Sequence, residues 1–456
     1  MMPLSVMREW PWHGAAAALA SLLLLVAPAA RGYGLIEAFE SALAADTRYA
    51  AARAERDAAL QALPIARAGL RPLISASISD AKVQGGRDIR NPTTGQQVDE
   101  SLDYFSRARS ISLRQTIYDR DVFRAVDRAE LQVAYAEAAF EGRTKELANR
   151  LGGSYLDLMY ALDGLTLARS QVQSFEGQLE VARRRFEGGE GTRTEIAEAG
   201  SRLDSAQADL LEALDRVAVA RRSLQDITGM DSAAIRPPAG RLVIGALDPP
   251  TLDDWLASAE ASSPEVQVRR LATQVARIDV ERARSGHYPR VELVGSISRT
   301  SSDTLSTVNT DSTLRTIGLQ ISIPIYAGGR VDAGVTQAVA NLQRSEAELA
   351  AELDTQRIEV RRQYLAVTSG IARIAAREKA VESSELALEG TRAGLRAGIR
   401  SNVDVLDAQQ RLFIARRDLA EVRYVALLSL MRLQLAAGRP PLNAVTQVDA
   451  LLRAWQ

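Results

Sequence analysis

Apolar residues recur along most of this chain at helical spacing and, in two short regions, at every second position. From about Arg120 to Glu187, and again from about Arg330 to Arg396, proline is absent and Ala, Leu, Glu, Arg and Gln dominate. Val335, Val339, Leu342, Leu349, Leu353 and Val360 fall at three-, four- and seven-residue steps, a pattern of amphipathic helix built from strong helix formers. Roughly 67 residues at about 1.5 Å each make a rod of ~100 Å. Such a rod must pack beside others, coiled-coil fashion. Gly152-Gly153 and Gly370 leave open a division into shorter helices of a globular bundle.

Between the helices the period changes to two. Ile317, Leu319, Ile321, Ile323 and Ile325 alternate with Thr316, Gly318, Gln320, Ser322 and Pro324, and Val291, Leu293, Gly295 and Ile297 alternate in the same way. Ile74, Ala76 and Ile78, then Ile111 and Leu113, repeat the pattern less cleanly. Strands are predicted at about 72–83, 105–118, 289–300 and 313–326, each with one apolar and one polar face. Hydrophilic loops, Gln84–Leu102 and Ser301–Asp311, join them in pairs. Tyr118, Tyr288 and Tyr326 sit where strands meet helices, as an aromatic girdle at a membrane interface would. Pro324, Gly328 and Gly329 mark the turn from strand to helix. A half-exposed soluble sheet is the alternative. Four strands cannot close a barrel, and open edges are not tolerated in lipid. A lipid-embedded sheet would therefore borrow strands from other copies, eight from two chains or twelve from three.

The chain repeats itself at an offset of 209. Residues 186–229 against 395–438 give eleven identities in 44 positions, among them Gly189/Gly398, Arg202/Arg411, Gln225/Gln434 and Gly229/Gly438. The predicted organisation is residues 31–229 as a first repeat, 230–250 as a linker, 251–438 as a second repeat and 439–456 as a C-terminal tail. Each repeat reads helix, strand pair, long helix (120–187 or 330–396), glycine break, second helix (193–229 or 402–437).

Residues 1–30 read as an export signal. Arg8 precedes an apolar run containing Leu22-Leu23-Leu24-Leu25-Val26, and Ala27-Pro28-Ala29-Ala30 offers small residues for cleavage. The run is shorter than the ~20 residues of a membrane span. With 56 Lys+Arg against 57 Asp+Glu the net charge is −1, which argues against nucleic acid as a partner. There are no cysteines, and His13 and His287 are the only histidines. Thiolate metal sites and a lipidated cysteine are excluded, and a Ser-His-Asp triad nearly so. No catalytic site, metal or cofactor is expected.

The chemistry concentrates at the two glycine breaks. Gly188 and Gly189 end one long helix and Gly398 the other; Thr192-x-x-Glu195 and Ser401-x-x-Asp404 then have capping-box spacing. Asp404 and Asp407 share a helix face. Repeated by symmetry they would place six carboxylates around a narrow mouth, selecting cations; alternatively they only complement the helix N-terminus.

Ile321-Ser322-Ile323-Pro324-Ile325-Tyr326-Ala327-Gly328-Gly329, then Ala397-Gly398 with Val403-Asp404-Val405-Leu406-Asp407-Ala408, and Phe186 to Thr194 in the first repeat, carry a resemblance. The chain resembles the TolC family of outer-membrane channel proteins from about residue 35 to 440. The resemblance implies a mixed α and β membrane protein. Three copies would form a homotrimer with a 12-stranded barrel in outer-membrane lipid and a 12-helix α-helical barrel in the periplasm. It implies export through an inner-membrane ABC exporter or proton-driven pump and a periplasmic adaptor protein. Type I protein secretion is favoured over small-molecule efflux by Thr192-Arg193-Thr194 and by the start without a lipidated cysteine. The family's aspartate rings fall on Asp404 and Asp407, its gating arginine on Arg400, and the partners of that arginine on Thr194 and Glu195. Leu395 stands where the family's best-known gate has a tyrosine. The segments 230–250 and 439–456 are expected to belt the tunnel. A soluble periplasmic coiled-coil adaptor or scaffold is the alternative from another class, and an exported hydrolase lacks a nucleophile–base pair.

Overall fold

The computed structural model describes residues 34–90, 93–302 and 310–455. The expected signal peptide and most of the loop from Ser301 to Asp311 lie outside the described residues. The chain opens with three short helices, α1 (Leu35–Ala45), α2 (Thr47–Leu60) and α3 (Ala62–Ala68), followed by strands β1 (Leu73–Arg90) and β2 (Gln97–Tyr118). Helix α4 runs from Arg120 to Glu187 and turns back into α5 (Arg193–Thr228). The second half repeats the order with α6 (Leu252–Ser262), α7 (Pro264–Arg284), β3 (Arg290–Ser302), β4 (Thr310–Ser322), α8 (Arg330–Arg396) and α9 (Asn402–Ala436), before a final α10 (Pro441–Trp455).

The offset of 209 is structural. Thr192 and Ser401 are both helix N-caps, and Gly229 and Gly438 both turn through positive φ at 68° and 76°. α4 and α5 form one antiparallel pair, α8 and α9 the other, and α9 is the helix that lies against α4 and α5. α4 does not break at Gly152-Gly153. A Cβ on Gly152 would collide with the Sδ of Met431, itself fully buried on α9. The glycine is a close-approach site within an intact helix. Gly370 does the same for α8, where a Cβ would lie 3.2 Å from the Ala426 Cβ.

The four strands form one antiparallel sheet in the order β1-β2-β3-β4. Register sets Ile74 beside Leu113, Leu113 beside Gly295 and Gly295 beside Ile317, so one face is apolar. Nothing among the described residues covers it: Ile317 is 77 % exposed and Ile321 62 %. On the other face serines pair across β1 and β2, Ser75 with Ser112 at 2.7 Å and Ser77 with Ser110 at 2.8 Å. The outer edges of β1 and β4 have no strand neighbour among the described residues. No helix among the described residues is long and apolar enough to cross a membrane.

Strand bounds depart from the sequence pattern in two places. The first hairpin extends through most of the expected loop Gln84–Leu102, with Gln84 opposite Asp103 and Arg90 opposite Gln97. Ladder hydrogen bonds come from the backbone, and the Gly, charged and amide residues that dominate this stretch leave no alternation to read. β4 ends at Ser322, short of Tyr326, because Pro324 has no N–H to donate to a ladder.

The segments 230–250 and 439–456 meet at the C-terminal helix. Segment 439–456, drawn from the sequence as a tail, holds α10, whose Asp449 is 3 % exposed and accepts from the Leu35 N–H at 2.7 Å. α1 has no side-chain cap of its own, so Asp449 serves as one. Trp455 donates its Nε1–H to the Gly240 carbonyl at 2.8 Å, and the Gly240 N–H returns a bond of 2.8 Å to the Trp455 carbonyl. Beneath it the Tyr424 hydroxyl donates to Asp163 at 2.7 Å. Burial and the adjoining carboxylate push the Tyr424 hydroxyl up, and burial raises Asp163 despite that bond.

Candidate functional site: the hairpin tips

Both long helices end in the same turn. α4 passes through Gly188 in ordinary helical conformation and Gly189 at φ 77°; α8 passes through Ala397 and Gly398 at φ 74°. Only the second position of each turn requires the left-handed region that glycine favours, which explains why Ala397 can replace the counterpart of Gly188. Both following helices open on complete capping boxes. The Thr192 Oγ1 accepts from the Glu195 N–H at 3.2 Å, and Glu195 accepts from the Thr192 N–H at 3.3 Å. Ser401 Oγ accepts from the Asp404 N–H at 3.2 Å, while Asp404 accepts from the Ser401 N–H at 2.8 Å and hydroxyl at 2.9 Å.

The boxes settle the electrostatics of Asp404. Hydrogen bonds from the Ser401 backbone and side chain, with the Arg400 charge adding to them, hold its carboxyl below the usual aspartate range. Arg400 lies one turn before it at 4.0 Å, a long and exposed pair. The Arg400 stem folds over Gly394 of α8, where a Cβ would sit 2.7 Å from the Arg400 Cγ. Within one chain no hydrogen bond or ion pair joins Arg400 to Thr194 or Glu195: Thr194 is exposed and Glu195 is engaged by Thr192. Asp407 is bound by Arg202 of α5 at 2.8 Å, a partner that sequence spacing did not reveal because it comes from another helix. The matched arginines Arg202 and Arg411 of the repeat were the available signal.

Above the turns a seam joins the two hairpins. Gln171 donates to Gln410 at 3.2 Å, Gln409 donates to the Ser174 hydroxyl, and the rings of Phe175 and Phe413 meet edge-on at 6.2 Å. Asn402 is 2 % exposed and neither of its amide atoms has a partner in the chain. Leu395 packs against the cluster of Leu388, Val405, Ala408 and Leu412, a use for an apolar residue that a hydroxyl would not serve.

At the opposite end of the molecule, strands hand over to helices. Tyr118 closes β2 and its ring tilts against Phe123 at 6.1 Å; Tyr288 precedes β3 and lies under the Arg120 guanidinium at 4.2 Å. Tyr326 is 88 % exposed in the turn that runs from Pro324 to Gly328 and Gly329, both at positive φ. Among the described residues no three His, Asp or Glu side chains converge as a metal site would require.

A four-stranded sheet with an uncovered apolar face, continued by paired helices of about 100 Å, is an architecture shared with known proteins. The outer membrane protein VceC from Vibrio cholerae superposes with a TM-score of 0.74 at 20% identity, over 89% of this chain and 96% of that one. In sequence, the alkaline protease secretion protein AprF of Pseudomonas aeruginosa is 31% identical over 92% of this chain and 87% of its own length. The proteases secretion protein PrtF of Dickeya chrysanthemi is 31% identical over 92% of this chain and 91% of its own. The outer membrane efflux protein family matches residues 38–230 and 255–439, one block per repeat. The chain is a member of the outer membrane efflux protein family, a channel of the outer membrane.

Proposed function

We propose that this protein is the outer-membrane exit duct of a type I protein secretion system, working as a homotrimer. The observation that carries oligomerisation is the sheet: its apolar face is bare and, among the described residues, the edges of β1 and β4 are unpaired. Unpaired N–H and C=O groups cost several kcal/mol each in lipid, so lipid insertion demands neighbours; three copies supply twelve strands. The same three copies set twelve helices side by side as a periplasmic tunnel. Similarity to two protease secretion proteins supports protein as cargo.

In this reading cargo enters from an inner-membrane ABC exporter through a periplasmic adaptor, and the hairpin tips form the mouth. Tyr118, Tyr288 and Tyr326 take the periplasmic membrane interface. Asp404 supplies a ring of charge, and Arg400 is the residue whose displacement opens the mouth, with Thr194 and Glu195 of a neighbouring copy as its partners. Glu195 can receive a second bond because one carboxylate oxygen remains after the capping box.

The test is reconstitution in a Gram-negative host that lacks its own duct, with an ABC exporter, its adaptor and a protease cargo. Protease in the medium is the expected result. Protease retained while the protein sits folded in the outer membrane would overturn protein secretion, and drug resistance gained instead with a proton-driven pump would assign the duct to efflux. Light scattering in detergent should give three chains per particle.

A further inference from the structure

Deepening the trimer reading on which it rests, we infer that Arg411 binds Glu198 of the neighbouring copy, and that this ion pair fastens each subunit seam near the mouth. Two features of one chain lead there. The repeat is in register at 209 residues throughout the hairpins, from the N-caps Thr192 and Ser401 to the positive-φ glycines Gly229 and Gly438. And the seam between the first hairpin and the second is seen directly, because both lie in the same chain.

Closing a ring of three copies makes six hairpins and six seams. Three join the first hairpin to the second within a chain, and three join the second hairpin to the first of the next copy. If successive hairpins are related by one rotation, whatever the second presents to the first within a chain, the next copy's first must present to the second. Within the chain Arg202 of α5 binds Asp407 of α9 at 2.8 Å. Adding 209 to the first and subtracting it from the second maps this pair onto Arg411 of α9 and Glu198 of the next α5. Both chemistries survive the mapping, arginine for arginine and carboxylate for carboxylate.

Both residues are unspent. Arg411 is exposed and makes only a 3.3 Å bond to the Asp407 carbonyl, and Glu198 forms no ion pair or hydrogen bond among the described residues. The apolar packing agrees. Leu406 of α9 is 1 % exposed, filling the cluster of Phe175, Leu179, Ala199 and Ala206, whereas its counterpart Ala197 lies exposed on α5, uncovered until a second hairpin arrives. The other polar links of the internal seam do not survive the mapping. Gln171 and Gln410 become Ala380 and Ser201, Ser174 and Gln409 become Ser383 and Gly200, and Asp163 and Tyr424 become Ala372 and Asp215. Of these internal links only the charged one passes to the seam between subunits, where it stands beside the contact of Arg400 with Thr194 and Glu195.

The absence of native cysteine makes the test direct. Glu198→Cys with Arg411→Cys, treated with a short bis-maleimide, should give a covalent trimer ladder on denaturing gels, and neither single variant should. A thiol-specific linker is needed because residues joined by an Arg–carboxylate pair are spaced too widely for a disulfide. Particles that light-scatter as trimers but yield only monomers on the gel would overturn the pairing and leave the trimer standing; a monomeric parent would overturn both. In planar bilayers Glu198→Arg or Arg411→Glu alone should raise single-channel conductance at least twofold, and the two together should restore the parent value. No rescue in the double variant would also overturn the pairing.

Discussion

Arg400 rests on Gly394: a Cβ at that glycine would lie 2.7 Å from the Arg400 Cγ. In the first repeat the roles are exchanged, since Gly191 corresponds to Arg400 and lies against Arg185, the counterpart of Gly394, 3.3 Å from its Cβ to the position a side chain would take. One small and one large residue fit each turn, and the order decides which strand of the turn projects a guanidinium. In the second repeat the glycine seats the arginine; in the first the arginine leaves from the helix end.

Gly394→Ala should therefore dislodge Arg400 without removing its charge. We expect single-channel conductance in planar bilayers to rise severalfold, approaching that of Arg400→Ser. Parent-like conductance in Arg400→Ser would remove Arg400 from the gate, and parent-like conductance in Gly394→Ala alone would show that the seat is dispensable.

The carboxylates of the mouth should act unequally. Asp404→Ala with Asp407→Ala is expected to weaken block by multivalent cations. Because Arg202 engages Asp407, Arg202→Ala should do the reverse and tighten block by a few-fold, in line with the ~1 kcal/mol or less that an exposed ion pair supplies. Equal block in the parent and the double alanine variant would count against a carboxylate ring.

Acid should discharge Asp404 late. Its carboxyl lies below the ordinary value of 3.8 because Ser401 hydrogen-bonds the ionised form. A depressed native value means that the capping contribution is complete above the ordinary range and is lost as pH falls through the lowered one. In an Asp407→Ala background, cation block should persist at pH 4 and fade only in stronger acid. Ser401→Ala should move the loss to higher pH. A titration of block that ignores Ser401 would disprove the assignment.

Gly152 carries a packing prediction. Gly152→Leu would force α4 and α9 apart at Met431, and overpacking of this kind costs about 1–3 kcal/mol. A lower thermal midpoint with unchanged helix content by circular dichroism is expected. Gly153→Ala, where a Cβ meets nothing within 4 Å, should raise the midpoint slightly because alanine is the better helix former.

Asp449→Ala should loosen the chain ends. It strips the Leu35 N–H of its acceptor and Arg453 of a 2.7 Å partner, and loss of a buried cap costs about 1–2 kcal/mol. Faster proteolysis within α1 would report it, and Asp449→Asn should recover most of the protection.

Legibility varied with the kind of signal. The long helices could be drawn from Arg120 to Glu187 and from Arg330 to Arg396 because proline and the period of 3.6 are local properties. Strand ends were harder. Residues 84–90 and 97–102 lack an apolar face, so their pairing left no trace in side-chain pattern, while the proline at 324 stops a ladder whose alternation runs on to Ile325. At the tips, the capping boxes were visible as spacings, since both partners lie three residues apart. Arg202 with Asp407, Gly394 under Arg400 and Asp449 over Leu35 were not, because each joins residues brought together from different elements.

The sequence by itself determined element type, the doubling at 209 residues and the alternation that gives the strands one apolar face. These follow from neighbours along the chain: helix propensity, alternation and turn chemistry act over a few residues. Only the tertiary structure decided that Asp407 is bound from another helix while Asp404 is held by its own cap, that Gly152 is a contact and not a break, and that the last helix caps the first. Such choices depend on the distance between side chains far apart in the chain, and no period in the sequence encodes a distance.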